Sequence, residues 1–146
     1  MAVTAKWYGK AFLAILNKEV DWEADTIKVQ LHTSSYTPDQ DAHDYADDLT
    51  NEVANGNGYT TGGATLGSKT IGYTGATNVV KLDAADTSWA AATITARYAV
   101  IVDTTPGSAA TNPLLGYVDF GADVTSTAGT FQITWHADGI LTITPS

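Results

Sequence analysis

Cysteine is absent from the 146 residues, and arginine occurs once, at Arg97. Without cysteine there is no disulfide, no thiolate metal site and no cysteine nucleophile. Basic residues number 7 against 16 acids, for a net charge of −9. Proteins that hold nucleic acid neutralise phosphates with clustered lysine and arginine, so this balance argues against DNA or RNA as a partner. An anionic membrane surface is disfavoured for the same reason. Long apolar runs are also missing, and no stretch approaches a membrane span. Lys6 and Lys10 precede AFLAIL in the manner of a signal peptide, but Asn17, Lys18 and Glu19 follow where a small-residue cleavage site belongs. The sequence reads as soluble and unprocessed.

Catalytic signatures are equally scarce. The three histidines have no His-x-x-x-His spacing, and no Gly-x-Ser-x-Gly elbow exists. The stretch Gly62 to Thr70 has the glycines of a phosphate loop, but Ser68 separates Gly67 from Lys69 and a strand follows instead of a helix. Asp39, Asp41, His43, Asp44, Asp47 and Asp48 begin like a calcium loop. Asp44 then holds the place of its obligatory glycine, and Thr50 that of its bidentate acid. A solvated acidic face accounts better for this segment, with a looser calcium site built with other loops left open. The expectation is a protein without enzymatic activity, cofactor or resident metal.

What the sequence does contain is strand signal. In Thr93 to Asp103, TITARYAVIVD, the residues Ile94, Ala96, Tyr98, Val100 and Val102 alternate onto one face. The opposite face turns apolar at Ala99 and Ile101, as in the middle strand of a core. Further strands are expected at Thr26–His32, Lys69–Thr74, Asn78–Asp83, Leu114–Phe120, Thr130–His136 and Ile140–Thr144. The last two flank Asp138-Gly139 and read as a hairpin. His32 shares the polar face of its strand with Lys28 and Gln30, which predicts a solvated histidine.

Val3, Trp7, Tyr8, Ala11, Phe12, Ile15 and Leu16 fall on one helical face, so residues 1–17 are expected to form an amphipathic helix. That face packs either on the protein's own sheet or on a partner subunit. Thr37-Pro38-Asp39-Gln40 predicts a short acidic helix or turn. Residues 51–75 predict a long, partly ordered glycine-rich loop that leads into the strand at Lys69–Thr74. The fold class that follows is mainly β, an antiparallel β-sandwich or small barrel with an N-terminal helix, in one domain spanning residues 1–146. The β part covers 26–146, with the acidic and glycine-rich loop at 33–68.

Four blocks carry a family likeness. They are Thr33–Pro38 (TSSYTP), Thr50–Leu66 (TNEVANGNGYTTGGATL), Ile94–Asp103 (ITARYAVIVD) and Gly116–Gly121 (GYVDFG). Together they resemble a family of small structural proteins of tailed bacteriophage virions. Ala54-Asn55 is an insertion-like departure within the second block. The likeness implies a place on the virus particle, made in the host cytoplasm, and leaves head or tail open. A decoration protein on the head would bind the major capsid protein or other virion proteins, as a homo-oligomer with a trimer favoured. A minor tail or fibre component would instead recognise host surface glycan through exposed aromatics. Candidate contacts are Trp7 and Phe12 at the N-terminus, Asn51, Gly56, Tyr59 and Gly62 in the glycine-rich loop, and Trp22 and Trp89 at element edges. For both Trp22 and Trp89, core packing is the competing reading.

Overall fold

The computed structural model describes residues 2–145 and is built from two antiparallel sheets. The strands are β1 (Thr4–Trp7), β2 (Ile27–His32), β3 (Ala64–Thr65), β4 (Thr70–Thr74), β5 (Val79–Asp83), β6 (Thr87–Asp103), β7 (Leu114–Ile133) and β8 (Leu141–Ile143). A single α-helix, α1 (Ala11–Leu16), follows β1. The larger sheet has the order β1-β7-β6-β2-β3 and the smaller β4-β5-β8, an arrangement consistent with the expected β-sandwich. The predicted central strand lies between β7 and β2, and starts earlier than expected, at Thr87.

One face of the larger sheet meets the smaller sheet. Ile27, Val29 and Leu31 of β2 are buried there beside Ala99 and Ile101 of β6 and Val118 of β7. Burying a side chain of this size stabilises by roughly 1.5–3 kcal/mol. The opposite face is covered over its upper half by residues 33–50. Tyr36 of that segment is buried, lies tilted against His32 with ring centroids 4.9 Å apart, and meets Tyr98 edge to face at 5.9 Å. This cover explains why β6 is buried on both faces from Ala99 to Asp103.

Four expectations are corrected, and a fifth, open between helix and turn at Thr37–Gln40, resolves to the turn. Residues 1–17 are not one helix: β1 occupies the first part of the segment, and only Ala11–Leu16 are helical. Val3, Ala5 and Trp7 satisfy a period of two as well as the helical one, and β7 offers β1 a backbone to pair with. The helix stops where Lys18 takes the left-handed conformation, its N–H bonding to Ile15 O and that of Glu19 to Ala14 O. Thr37–Gln40 starts no helix. Asp39 instead accepts the N–H groups of Asp41 and Ala42 at 3.0 and 2.9 Å, closing a turn, and a 3-10 turn follows at Ala46–Asp48.

The C-terminal hairpin does not form. Gly139 N bonds to His136 O, which centres the turn on Ala137-Asp138, and Ile140 N, which an Asp-Gly hairpin would return to Ala137, bonds to Leu82 O as β8 pairs with β5. Crossing to the smaller sheet buries Ile140 and Leu141 and gives β5 a second neighbour. The single apolar face assigned to Ile94–Val102 is broken by a register shift between Ala96 and Tyr98. Ala96 lies opposite Val124 and Ala99 opposite Val118, so the core side changes parity at the bulge. His32, finally, is not solvated: it is 1% exposed, because its face of β2 is the one that residues 33–50 cover.

Candidate interaction site

The smaller sheet is too narrow to cover the larger one, and the uncovered strip is an apolar groove of about 470 Å³. Val3 and Ala5 border it on one side, and Val118, Phe120 and Val124 of β7 form its floor. Trp135, Gly139 and Ile140 close the far side. Alternation along β1 places Val3, Ala5 and Trp7 on the side that faces the smaller sheet. Trp7 reaches that sheet, its indole N–H donating to Thr142 O at 2.9 Å. Val3 has no such cover and is 64% exposed.

Strand β1 is also the rim of its sheet. It pairs with β7 in unbroken register from Thr4 opposite Asp119 to Trp7 opposite Gly116, and its other edge has no strand beside it among the described residues. Gly116 is needed for this approach, since a Cβ there would lie 2.8 Å from Lys6 O. Open edge and open groove are therefore the same place.

The expected contact residues do not converge there as a set. Trp7 and Phe12 are half-buried neighbours, ring centroids 4.9 Å apart, close to the strand edge. Trp22 is buried, with its indole N–H donating to Thr70 O at 3.0 Å, which ties the turn before β2 to β4. Trp89 is buried against Tyr59 and Phe131 at 6.0 and 5.9 Å. Tyr59 is buried as well. Its hydroxyl donates to Glu52 at 2.7 Å and accepts the Leu31 N–H at 3.0 Å. Trp22, Tyr59 and Trp89 thus spend their side chains inside this chain.

Gly62 gives its N–H to the same Glu52 carboxylate at 2.6 Å. Asn51 and Gly56 are exposed, both with positive φ, and shape turns of the loop. The glycine-rich block is therefore a tightly bonded cover over the core, and Asn51 and Gly56 are its outward points. The groove residues Phe120 and Val124 were not singled out from sequence, and Trp135 was read there as a core residue on an apolar strand face and not as part of a groove. No signal marked the groove, because it exists only where two sheets of unequal width overlap.

Two buried ionisable groups lie elsewhere. Nδ1 of His32 is 2.7 Å from the Thr50 carbonyl and so carries the proton, while Nε2 is buried without a partner. Burial lowers the pKa of this imidazole, against the opposing pull of the Thr50 carbonyl. The Asp103 carboxyl is pushed up to about 6, first by burial, against the Thr105 N–H that it accepts, and further by the Asp25 carboxyl facing it. Neither group opens onto the groove lining. Among the described residues no three His, Asp or Glu side chains converge as metal ligands.

No protein family, curated protein or solved structure matches the chain.

Proposed function

We propose that this chain is a structural protein of a tailed bacteriophage virion, one that decorates the head by binding the major capsid protein. The observation that carries this reading is where the four family-like blocks sit. Each holds residues that the fold constrains tightly, beginning with the buried Tyr36 in the first block. Arg97 and Asp119 pair across β6 and β7, Tyr59 and Gly62 meet on Glu52, and Gly116 admits β1. The likeness therefore lies in fold-specifying positions, not in composition alone. An open strand edge beside an apolar groove suits an assembly protein, whose modest contacts gain strength from repetition on a symmetric lattice. The acidic surface favours solubility between contacts.

The tail or fibre reading asks for exposed aromatics to meet a glycan, and it is the weaker of the two. Trp22 and Trp89 are buried, and Tyr73 is the aromatic most open to solvent in the described chain. Quantitative mass spectrometry of purified virions carrying this protein separates the readings. A copy number in simple proportion to the major capsid protein supports decoration. A few copies per particle moves the protein to the tail, and absence from the particle overturns both.

A further inference from the structure

We propose that two copies of this chain join edge to edge through β1, antiparallel about a two-fold axis, with Ala5 opposite Ala5 and Val3 opposite Trp7. The two larger sheets then run on as one. This inference stands apart from the virion reading and can hold or fail without it.

The backbone sets the register. Tyr8 N bonds to Leu115 O at 3.0 Å, and the unbroken antiparallel pairing continues that phase back along β1. Residues with hydrogen-bonded partners alternate in such a pair, so Thr4 and Lys6 spend their N–H and C=O groups on β7, in phase with the Tyr8 N–H, while the Tyr8 carbonyl accepts the Ala11 N–H. Those of Val3, Ala5 and Trp7 point to the open edge. A second strand added there must place odd-numbered residues opposite odd-numbered residues. Centring on Ala5 gives the overlap that uses all three.

The side chains agree with this register. Val3, Ala5 and Trp7 form an apolar row that meets its own reverse, with the β-branched Val3 beside the indole of Trp7. Lys6, the one charge in β1, falls opposite Thr4 and not opposite its own copy. Like charges are therefore kept apart. β1 carries neither the proline nor the bulge that would block a second strand, and its one charge, Lys6, lies opposite Thr4 in the pair. Val3 is otherwise uncovered, and its neighbour in the pair would shield it and lengthen the groove across the axis. Such a contact is isologous and closes at two, so it favours a dimer over the trimer expected from the family likeness.

Sedimentation of the full chain across a concentration series, with hydrogen exchange of β1, tests the proposal. The expected result is a reversible doubling of mass, with slower exchange at Val3, Ala5 and Trp7 as the dimer fills. Ala5→Pro removes an edge N–H that β7 does not use, so it should abolish the doubling and leave the Tyr8 amide protected. Val3→Lys, which puts two charges at the joint, should weaken association at least tenfold. Leu13→Asp with Leu16→Asp, on the exposed helix face, should leave it unchanged. A chain monomeric at millimolar concentration, a trimer, or a dimer indifferent to both β1 variants would overturn the proposal. Protection of the β1 edge only in the presence of another protein would also overturn it, in favour of a strand from that partner.

Discussion

Arg97 Nε donates to Asp119 Oδ1 at 2.7 Å across β6 and β7, and the same carboxylate oxygen accepts the Gly121 N–H at 2.7 Å. One ion pair therefore fixes both sides of the bulge at which β6 changes its core face. Arg97 chiefly, with Gly121 assisting against partial burial, holds the Asp119 carboxyl below the usual aspartate range. Arg97→Met and Asp119→Asn should each lower the midpoint of urea unfolding, because each removes a charge-assisted hydrogen bond at a partly open site. Combined, they should cost clearly less than the sum, because each removes the same contact. Strict additivity would show that the pair does not hold the bulge.

Tyr59 supports a second prediction. Its hydroxyl accepts the Leu31 N–H, and it also anchors Glu52, which in turn holds Gly62. Tyr59→Phe leaves the ring against Trp89 but strands a buried donor and loosens the carboxylate. A loss of about 1–3 kcal/mol is expected. Limited proteolysis should then cut first within residues 51–63; cleavage elsewhere would show that the loop is held by other means.

These two contacts also mark what the sequence could and could not disclose. Period-two alternation located β2, β5 and the upper part of β6, because apolar side chains there face one buried side of a regular pleat. It misjudged β1, where four residues satisfy a strand and a helix equally, and only β7 decides. The alternation of His32 was read correctly, yet the segment that covers it is itself irregular and leaves no periodic signal. The turn before β8 was correctly placed, but which strand follows it into pairing depends on β5, more than fifty residues earlier. Glu52 gave no hint of its two bonds, to Tyr59 and Gly62. The groove, likewise, is a product of sheet widths and of no local pattern.

Acid and base should act on this fold through two buried groups with opposite signs. The His32 pKa is lowered from 6.5, so the unfolded chain binds the proton more readily. Its contribution to stability is present above pH 6.5 and is lost as pH falls through the lower folded-state value. Asp103 is raised from 3.8 to about 6. Its contribution is full below pH 3.8 and is lost as pH rises toward 6. Thermal unfolding of His32→Gln should therefore lose part of the acid sensitivity. Asp103→Asn should be more stable than the parent above pH 6, by on the order of 1 kcal/mol. An Asn variant less stable at pH 8 than at pH 4, relative to parent, would reverse the assigned sign.

Glycine at position 63 is the sharpest test of how the loop meets the sheet. Its φ is +77°, and a Cβ built there would overlap the Val29 carbonyl in the middle of β2. Neither obstacle can relax cheaply, since one is the backbone's own conformation and the other a strand buried in the larger sheet. Gly67 is only four residues away, yet it has ordinary φ and open space around it. Gly63→Ala should therefore cost more than about 2 kcal/mol, and Gly67→Ala should be neutral or slightly stabilising through its less flexible unfolded state. Equal effects at the two positions would mean that residues 60–66 do not lie against β2. Because Leu66 N bonds to Ile27 O at 2.8 Å and Leu66 is buried, such a loop would also release the start of β2. The Gly63 variant should therefore speed amide exchange at both Val29 and Leu66, whereas a purely local strain would leave Leu66 unaffected.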